Sequence, residues 1–422
     1  MKGYFEYEFS VTEILLPFVI LNLVTLALFF LTGLRYFGSP HKKIIAILLI
    51  FLGNFGLLVY AYDAAIGFLP FFPDTLAFYG IFSGMPIEWD NVTLRNFSLL
   101  VYPFRVFESG NAFVFGALNV ILFISSLSIL VLTWLNFVRF YFPRFNDRFP
   151  FFIPATIVLF TIWPAYYLYL LPPLREAINI FAFAVFIAGL VQVKVQTTVA
   201  KQLFGFGLVL LAVGLSFFVR PLNGLLYLAL FYFFYPTNRF AVSLSKRLII
   251  FVGAAVLGWL VLRGTTFGAL FTPEGLALVR NARASYFGTD GYGLVEWQTW
   301  FDVLFDVPLL TFWFITSPIT TSQNFMSYSG ALLQTLWDFC AIAAAAVGYA
   351  GARLIDARLA EGVRQWLLLI FVMTVASSLY EFHVSDAVRH RMIISFALVP
   401  ISSLGVCWLL FSKPSTKDVM QR

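Results

Sequence analysis

Eleven residues near the C-terminal end, Glu381-Phe-His-Val-Ser-Asp-Ala-Val-Arg-His-Arg391, gather two of the chain's three histidines with two arginines and two carboxylates. Apolar runs flank the segment on both sides. Charge beside hydrocarbon is unfavourable unless it lines a polar cavity or meets a charged ligand. Three chemistries fit these residue types. Imidazole can take a proton and return it near neutral pH. Guanidinium groups grip phosphate oxygens bidentately and stay charged when partly desolvated. His383, Asp386 and His390 fall on one helical face at i, i+3 and i+7, a partial metal-ligand set that needs donors from elsewhere. Alternatively, Asp386 orients Arg389 or His390, and Arg389 and Arg391 meet an anion.

Two further arginines, Arg175 and Arg220, also stand at the ends of apolar runs, at the depth of lipid head groups. With Arg389 and Arg391 they suit a lipid phosphate or pyrophosphate. Ion pairing with nearby acids and snorkelling to the head groups is the plainer account of any one of them. Among the acids, Asp74 lies in Phe71-Phe-Pro-Asp-Thr-Leu-Ala-Phe-Tyr79. Pro73 pre-sets a turn, so Asp74 fits the N-cap of a short helix through Tyr79. Its aromatic surroundings would also desolvate the carboxylate and raise its pKa, as a general base requires. Asp63 is the second candidate base. Glu176 reads as the partner of Arg175 or as a solvated charge. No nucleophile elbow, phosphate-binding loop, dinucleotide fingerprint or zinc signature occurs.

These residues must be held by membrane elements. The 422 residues are 61% hydrophobic and only 11% charged, with mean hydropathy +0.88. Such a chain is all-α and polytopic, because spanning segments must satisfy their own backbone hydrogen bonds. Apolar runs near 14–34, 44–62, 113–137, 149–171, 177–193, 203–219, 222–235, 248–262, 331–351, 365–380 and 392–411 predict about eleven spans, within a range of ten to twelve. Segment 301–316 carries Asp302, Asp306 and Pro308 and suits a re-entrant or interfacial helix better than a span. The whole chain, 1–422, forms one membrane unit. Cys340 and Cys407 lie in apolar runs and read as reduced thiols.

With the N-terminus outside and the C-terminus cytoplasmic, every inner loop is basic, as the positive-inside rule requires. Two long extracytoplasmic loops result, 63–112 and 263–330. Outside, against the usual bias, stand nine arginines (Arg95, Arg105, Arg175, Arg220, Arg263, Arg280, Arg283, Arg389 and Arg391) and one lysine, Lys2. The net charge of +6 therefore reports topology and gives no ground for a nucleic-acid partner. A multi-pass protein of the inner, cytoplasmic membrane is expected.

The order of landmarks then becomes informative: Pro73-Asp74…Tyr79, Phe107-Glu-Ser-Gly-Asn-Ala-Phe before a span with Asn119, Trp163-Pro164, Leu174-Arg175-Glu176-Ala177, Arg220-Pro221, Ser317-Pro318 and Val388-Arg389-His390-Arg391. This order resembles bacterial multi-spanning glycosyltransferases of the GT-C type and the oligosaccharide repeat-unit (O-antigen or exopolysaccharide) polymerases. The resemblance implies a polyprenyl-linked sugar or oligosaccharide as donor and transfer on the extracytoplasmic side. It further implies a site built from an early outer-loop acid, here Asp74, and late arginines, here Arg389 and Arg391. Many GT-C enzymes place the key acid after the first span with a second acid nearby; Asp74 follows the second span and stands alone. Polymerases that rely on arginines and a histidine would instead promote His390.

The expected chemistry is glycosyl transfer from a polyprenyl (pyro)phosphate. Arg389, Arg391, Arg175 and Arg220 would hold the leaving phosphate, and Asp74 or His390 would act as base. Asp63, Tyr79, His383 and Asp386 are secondary candidates. No cofactor or metal is required by the sequence, and a divalent metal stays open. Membrane lipids and polysaccharide export or chain-length proteins are the candidate partners. Trp89, Tyr292, Trp297 and Trp300 could stack on sugars or anchor the interface. Two rival readings remain: a transporter or flippase of a lipid-linked glycan, and a non-catalytic scaffold of a polysaccharide assembly complex.

Overall fold

A computed structural model describes residues 19–27, 39–66, 92–102, 112–172, 174–234, 253, 272–287, 294–320, 329–381 and 384–411. Of the described residues 89% are helical, and no strand occurs among them. In chain order the helices are α1 (Ser39–Ile66), α2 (Val92–Val101), α3 (Ala112–Tyr141), the single turn α4 (Phe145–Arg148), α5 (Phe152–Thr161), α6 (Glu176–Val195), α7 (Val199–Val219), α8 (Pro221–Phe234), α9 (Pro273–Phe287), α10 (Trp300–Thr316), α11 (Ser329–Ile355), α12 (Ala357–Tyr380) and α13 (Val384–Phe411). Stretches within α3, α6, α7, α11, α12 and α13 are long and apolar enough to cross a bilayer. These six make the chain a membrane-embedded protein. α5, α8 and the Ile47–Tyr60 part of α1 are apolar but shorter.

Six full-length helices fall short of the eleven expected spans. Much of 14–34 and nearly all of 248–262 lie outside the described residues. The run 149–171 is a correction, for it is not one helix. α5 stops at Thr161, and a π-turn over Tyr166–Leu170 follows. Pro164 explains the break, since it lacks an amide hydrogen and its ring obstructs the preceding turn. The adjoining Ala165 amide donates instead to Gln334 Oε1 of α11 at 2.7 Å. Burying such a break requires a side-chain partner of this kind.

Two helix pairs approach backbone to backbone. A Cβ on Gly189 of α6 would stand 2.6 Å from Gly205 O of α7. A Cβ on Gly348 of α11 would stand 2.5 Å from Ile401 O of α13. Small residues permit this closeness, which lets van der Waals packing join helices where lipid offers no hydrophobic drive. Aromatic contacts tie in the rest. Trp134 of α3 meets Trp366 of α12 edge-on at 4.9 Å, and Phe123 of α3 stacks on Tyr166 at 4.5 Å.

α10 begins with a capping box. Thr299 Oγ1 accepts from the Asp302 amide, and Asp302 Oδ2 accepts from the Thr299 amide at 2.7 Å. Hydrogen bonds from the Thr299 and Gln298 amides hold the exposed Asp302 carboxyl below the usual carboxylate range. One face of α10 meets α12, where Thr311 and Ser378 hydroxyls pair at 3.0 Å. Elsewhere along its surface α10 exposes Phe301, Leu304, Phe305 and Phe312.

Candidate functional site

One end of the bundle concentrates buried charge. Arg175 and Glu176 open α6, Arg220 closes α7, and Arg389 and His390 stand early in α13. Glu176 is 2% exposed, too deep to be a solvated charge. Its Oε1 accepts from an Arg220 terminal nitrogen at 2.6 Å, and Arg389 Nε lies 3.2 Å from the same oxygen. Arg175 donates to Val219 O at 3.0 Å and acts on Glu176 electrostatically. One carboxylate thus faces three guanidinium groups.

Glu176, Arg220 and Arg389, but not Arg175, line a cavity of about 20 Å³, room for one or two waters. Glu176 and Asn179 of α6, Arg220, Asn223 of α8, Ser377 of α12, and Arg389 and His390 of α13 supply its polar wall. Glu176 Oε2, Asn179 Oδ1 and Arg220 Nε are buried there without a hydrogen-bond partner among the described residues. Buried polar atoms are ordinarily satisfied by protein or by water, and a cavity of this size has room for the water that could serve these three.

His390 extends the site toward proton chemistry. Its Nδ1 pairs with Glu381 Oε2, and Glu381 is fully buried just past α12. The neighbouring Arg280 of α9, also buried, donates to Glu381 O. A carboxylate bonded to one ring nitrogen orients the imidazole and selects the other nitrogen for proton transfer.

A second cluster lies beside the first. Arg391 Nε donates to Asp338 Oδ2 of α11 at 2.8 Å. Its terminal nitrogens donate to Phe314 O, Ile315 O and Ser317 O at the end of α10 and to Thr335 Oγ1, at 2.6, 2.5, 3.2 and 2.6 Å. Asp338 also accepts from Ser395 Oγ at 2.5 Å and Gln334 Nε2 at 2.7 Å. All five guanidinium hydrogens of Arg391 are thereby used within the protein.

The expected residues separate accordingly. Arg175, Arg220, Arg389 and His390 come together. Arg391 does not join Arg389 on one anion, because residues two apart on a helix point about 200° apart; its donors serve α10 and α11 instead. Glu176 is paired most closely with Arg220 and Arg389 rather than solvated. Trp297 is buried and donates to Asp306 Oδ2 at 2.8 Å, so it cannot offer a face to a sugar. Asp74, Tyr79, His383, Trp89 and Tyr292 lie outside the described residues, as do the side chains of Asp63 at the end of α1 and Asp386 in α13. Among the described residues no group of three or more His, Cys, Asp or Glu could hold a metal; the set His383, Asp386 and His390 falls partly outside them. Glu381 and Asp338 were not singled out from sequence as partners of His390 and Arg391. The only signal was their depth in apolar surroundings, where a carboxylate needs a cation.

No family model matches this chain, and no curated protein or solved structure was found to be similar to it.

Proposed function

We propose that the chain is a membrane glycosyltransferase or glycan polymerase, GT-C-like in build. It takes a sugar from a polyprenyl phosphate or pyrophosphate at the extracytoplasmic face during cell-surface polysaccharide synthesis. One observation carries the reading: the cavity wall holds two guanidinium groups, Arg220 and Arg389, against the one carboxylate of Glu176, and Arg220 Nε is buried with its donor unused among the described residues. An anion with several acceptor oxygens is the guest that such a wall complements.

In the proposed reaction an acceptor hydroxyl attacks the anomeric carbon while the bond from that carbon to the phosphate oxygen breaks. Negative charge grows on the departing lipid phosphate. Arg389 and Arg220, supported by Arg175, stabilise it in a water-poor site where fixed charges act strongly. His390, oriented by Glu381 through Nδ1, accepts the hydroxyl proton at Nε2. Asp74 is the alternative base from the sequence. Arg391 serves as a positioning residue that fixes α13 against α10 and α11. The transporter reading gains nothing from the buried carboxylate of Asp338, because Arg391, Ser395 and Gln334 already occupy it.

The test replaces the gene in its native host by Arg389→Ala or His390→Ala and profiles the surface glycan. Loss of polymer, with normal protein level and lipid-linked precursor present on the outer leaflet, supports the enzyme. Precursor trapped on the inner leaflet would support the transporter. Unchanged polymer from both variants removes this site from consideration.

A further inference from the structure

We infer that Glu176 is a specificity-determining residue: an internal anion that holds the seat of the substrate phosphate and must be displaced from Arg220 and Arg389 when the lipid anion binds. The inference rests on the phosphate-site reading above. Glu176 Oε1 receives both arginines, at 2.6 and 3.2 Å. It therefore stands where an anionic oxygen would gain most from the cluster. Its other oxygen, Oε2, has no hydrogen-bond partner among the described residues, and neither has Arg220 Nε. A pair evolved only to neutralise itself would use its second oxygen and Arg220 Nε as well, since a bidentate arginine–carboxylate fork is the stronger arrangement. Here half of each fork is unused and buried in the wall of a cavity.

Glu176 leads α6 and has no flexible segment of its own, so displacement means rotation of its side chain away from Oε1's present position. The cavity of about 20 Å³ beside it admits water but no phosphate, so room comes only when the carboxylate moves. An internal competitor of this kind sets a threshold. Chloride and simple carboxylates offer Arg220 and Arg389 no more than Glu176 already does. A phosphate or pyrophosphate offers several oxygens at once and can satisfy the unused donor of Arg220 as well. Specificity then arises from what the site refuses as much as from what it binds.

The experiment uses the full chain in nanodiscs and titrates inorganic pyrophosphate, sulfate and chloride against wild type, Glu176→Gln and Glu176→Asp. Glutamine removes the competing charge; aspartate withdraws it by one methylene and keeps a negative charge beside the arginines. Both variants should bind pyrophosphate more tightly, about tenfold or more for glutamine and less for aspartate, and sulfate should gain by a larger factor than pyrophosphate, so that selectivity falls. If Glu176→Gln does not fold, the aspartate variant decides. Equal or weaker pyrophosphate binding in the variants overturns the inference. Wild-type binding that Arg389→Ala abolishes would in that case leave the phosphate site standing. Absence of pyrophosphate binding in every form, wild type included, takes down both.

Discussion

The two ends of this bundle handle charge in opposite ways. At one end Arg220, Arg389, Arg391, Glu176, Asp338 and Glu381 all have side chains no more than 13% exposed. At the other, Arg364 and Glu361 form an i,i+3 pair with side chains 67% and 38% exposed. There Lys194 lies over the Phe137 and Tyr141 rings at 5.7 and 5.9 Å and donates to Gln365 Oε1, which also accepts from Tyr141 Oη at 2.9 Å. The second end does what charged residues at a membrane boundary ordinarily do: it keeps charge wet and lays aliphatic stems along apolar surface. The first end bears a desolvation penalty that packing alone would not select, since buried ion pairs are seldom a source of net stability. Penalty without stabilising return is the physical signature of function, and it separates the two ends more sharply than composition does.

The contrast can be broken most severely at Arg391. Arg391→Leu strands Asp338 in the interior and removes one donor from each of four further acceptors, so stability should fall by about 3–5 kcal/mol, read as thermal unfolding in detergent. Asp338→Asn combined with Arg391→Leu should recover part of that loss, because the uncompensated charge is gone. Next in size is Arg389→Ala. Glycosyl transfer should drop by about 10²–10³-fold, the effect of removing one preorganised charge-stabilising donor, with a smaller change in melting temperature than Arg391→Leu gives. A site whose activity survives Arg389→Ala would make the two ends functionally alike. Third, Gly405→Val forces side-chain atoms into Ala344's backbone across the α11–α13 contact and should destabilise by about 1–3 kcal/mol, seen by the same unfolding assay. At the ordinary end, Arg364→Ala should leave the unfolding temperature and turnover essentially unchanged, because an exposed pair contributes little. Smallest is an effect of pH. Asp302's carboxyl titrates below its ordinary value in the folded chain, so its cap supports α10 above that ordinary value and fades as pH falls through the lowered one. Amide shifts of Gln298 and Thr299, followed by NMR as the sample is acidified, should report that loss.

Much of the helical build could be read from hydropathy, because in lipid the chain has few alternatives. The helices α3, α6, α7, α8 and α11 follow apolar runs closely, whereas α13 begins eight residues before its run, inside the charged segment. The break at Pro164 was also written in the sequence, but an apolar run of spanning length concealed it, and its rescue by Gln334 lies 169 residues away. The gathering of Arg175, Arg220 and Arg389 follows from their shared position at span ends. Which acid each arginine would meet does not, since pairing across helices depends on rotation about each axis and not on order along the chain. Helical angle alone, however, separates Arg389 from Arg391: two steps along an α-helix nearly reverse direction. Glu381 and His390 are nine residues apart, and only the interruption between α12 and α13 allows them to meet.

The close glycine contacts carry a mechanical consequence. α6 is locked to α7 at Gly189 and Gly205, and α11 to α13 at Gly348 and Gly405; sliding within either couple would drive backbone into backbone. The polar chamber lies between these couples, with Glu176 and Arg220 on one and Arg389 and His390 on the other. Any width beyond what rotation of Glu176 frees must come from parting them like the shells of a mussel, each moving as a stiff plate.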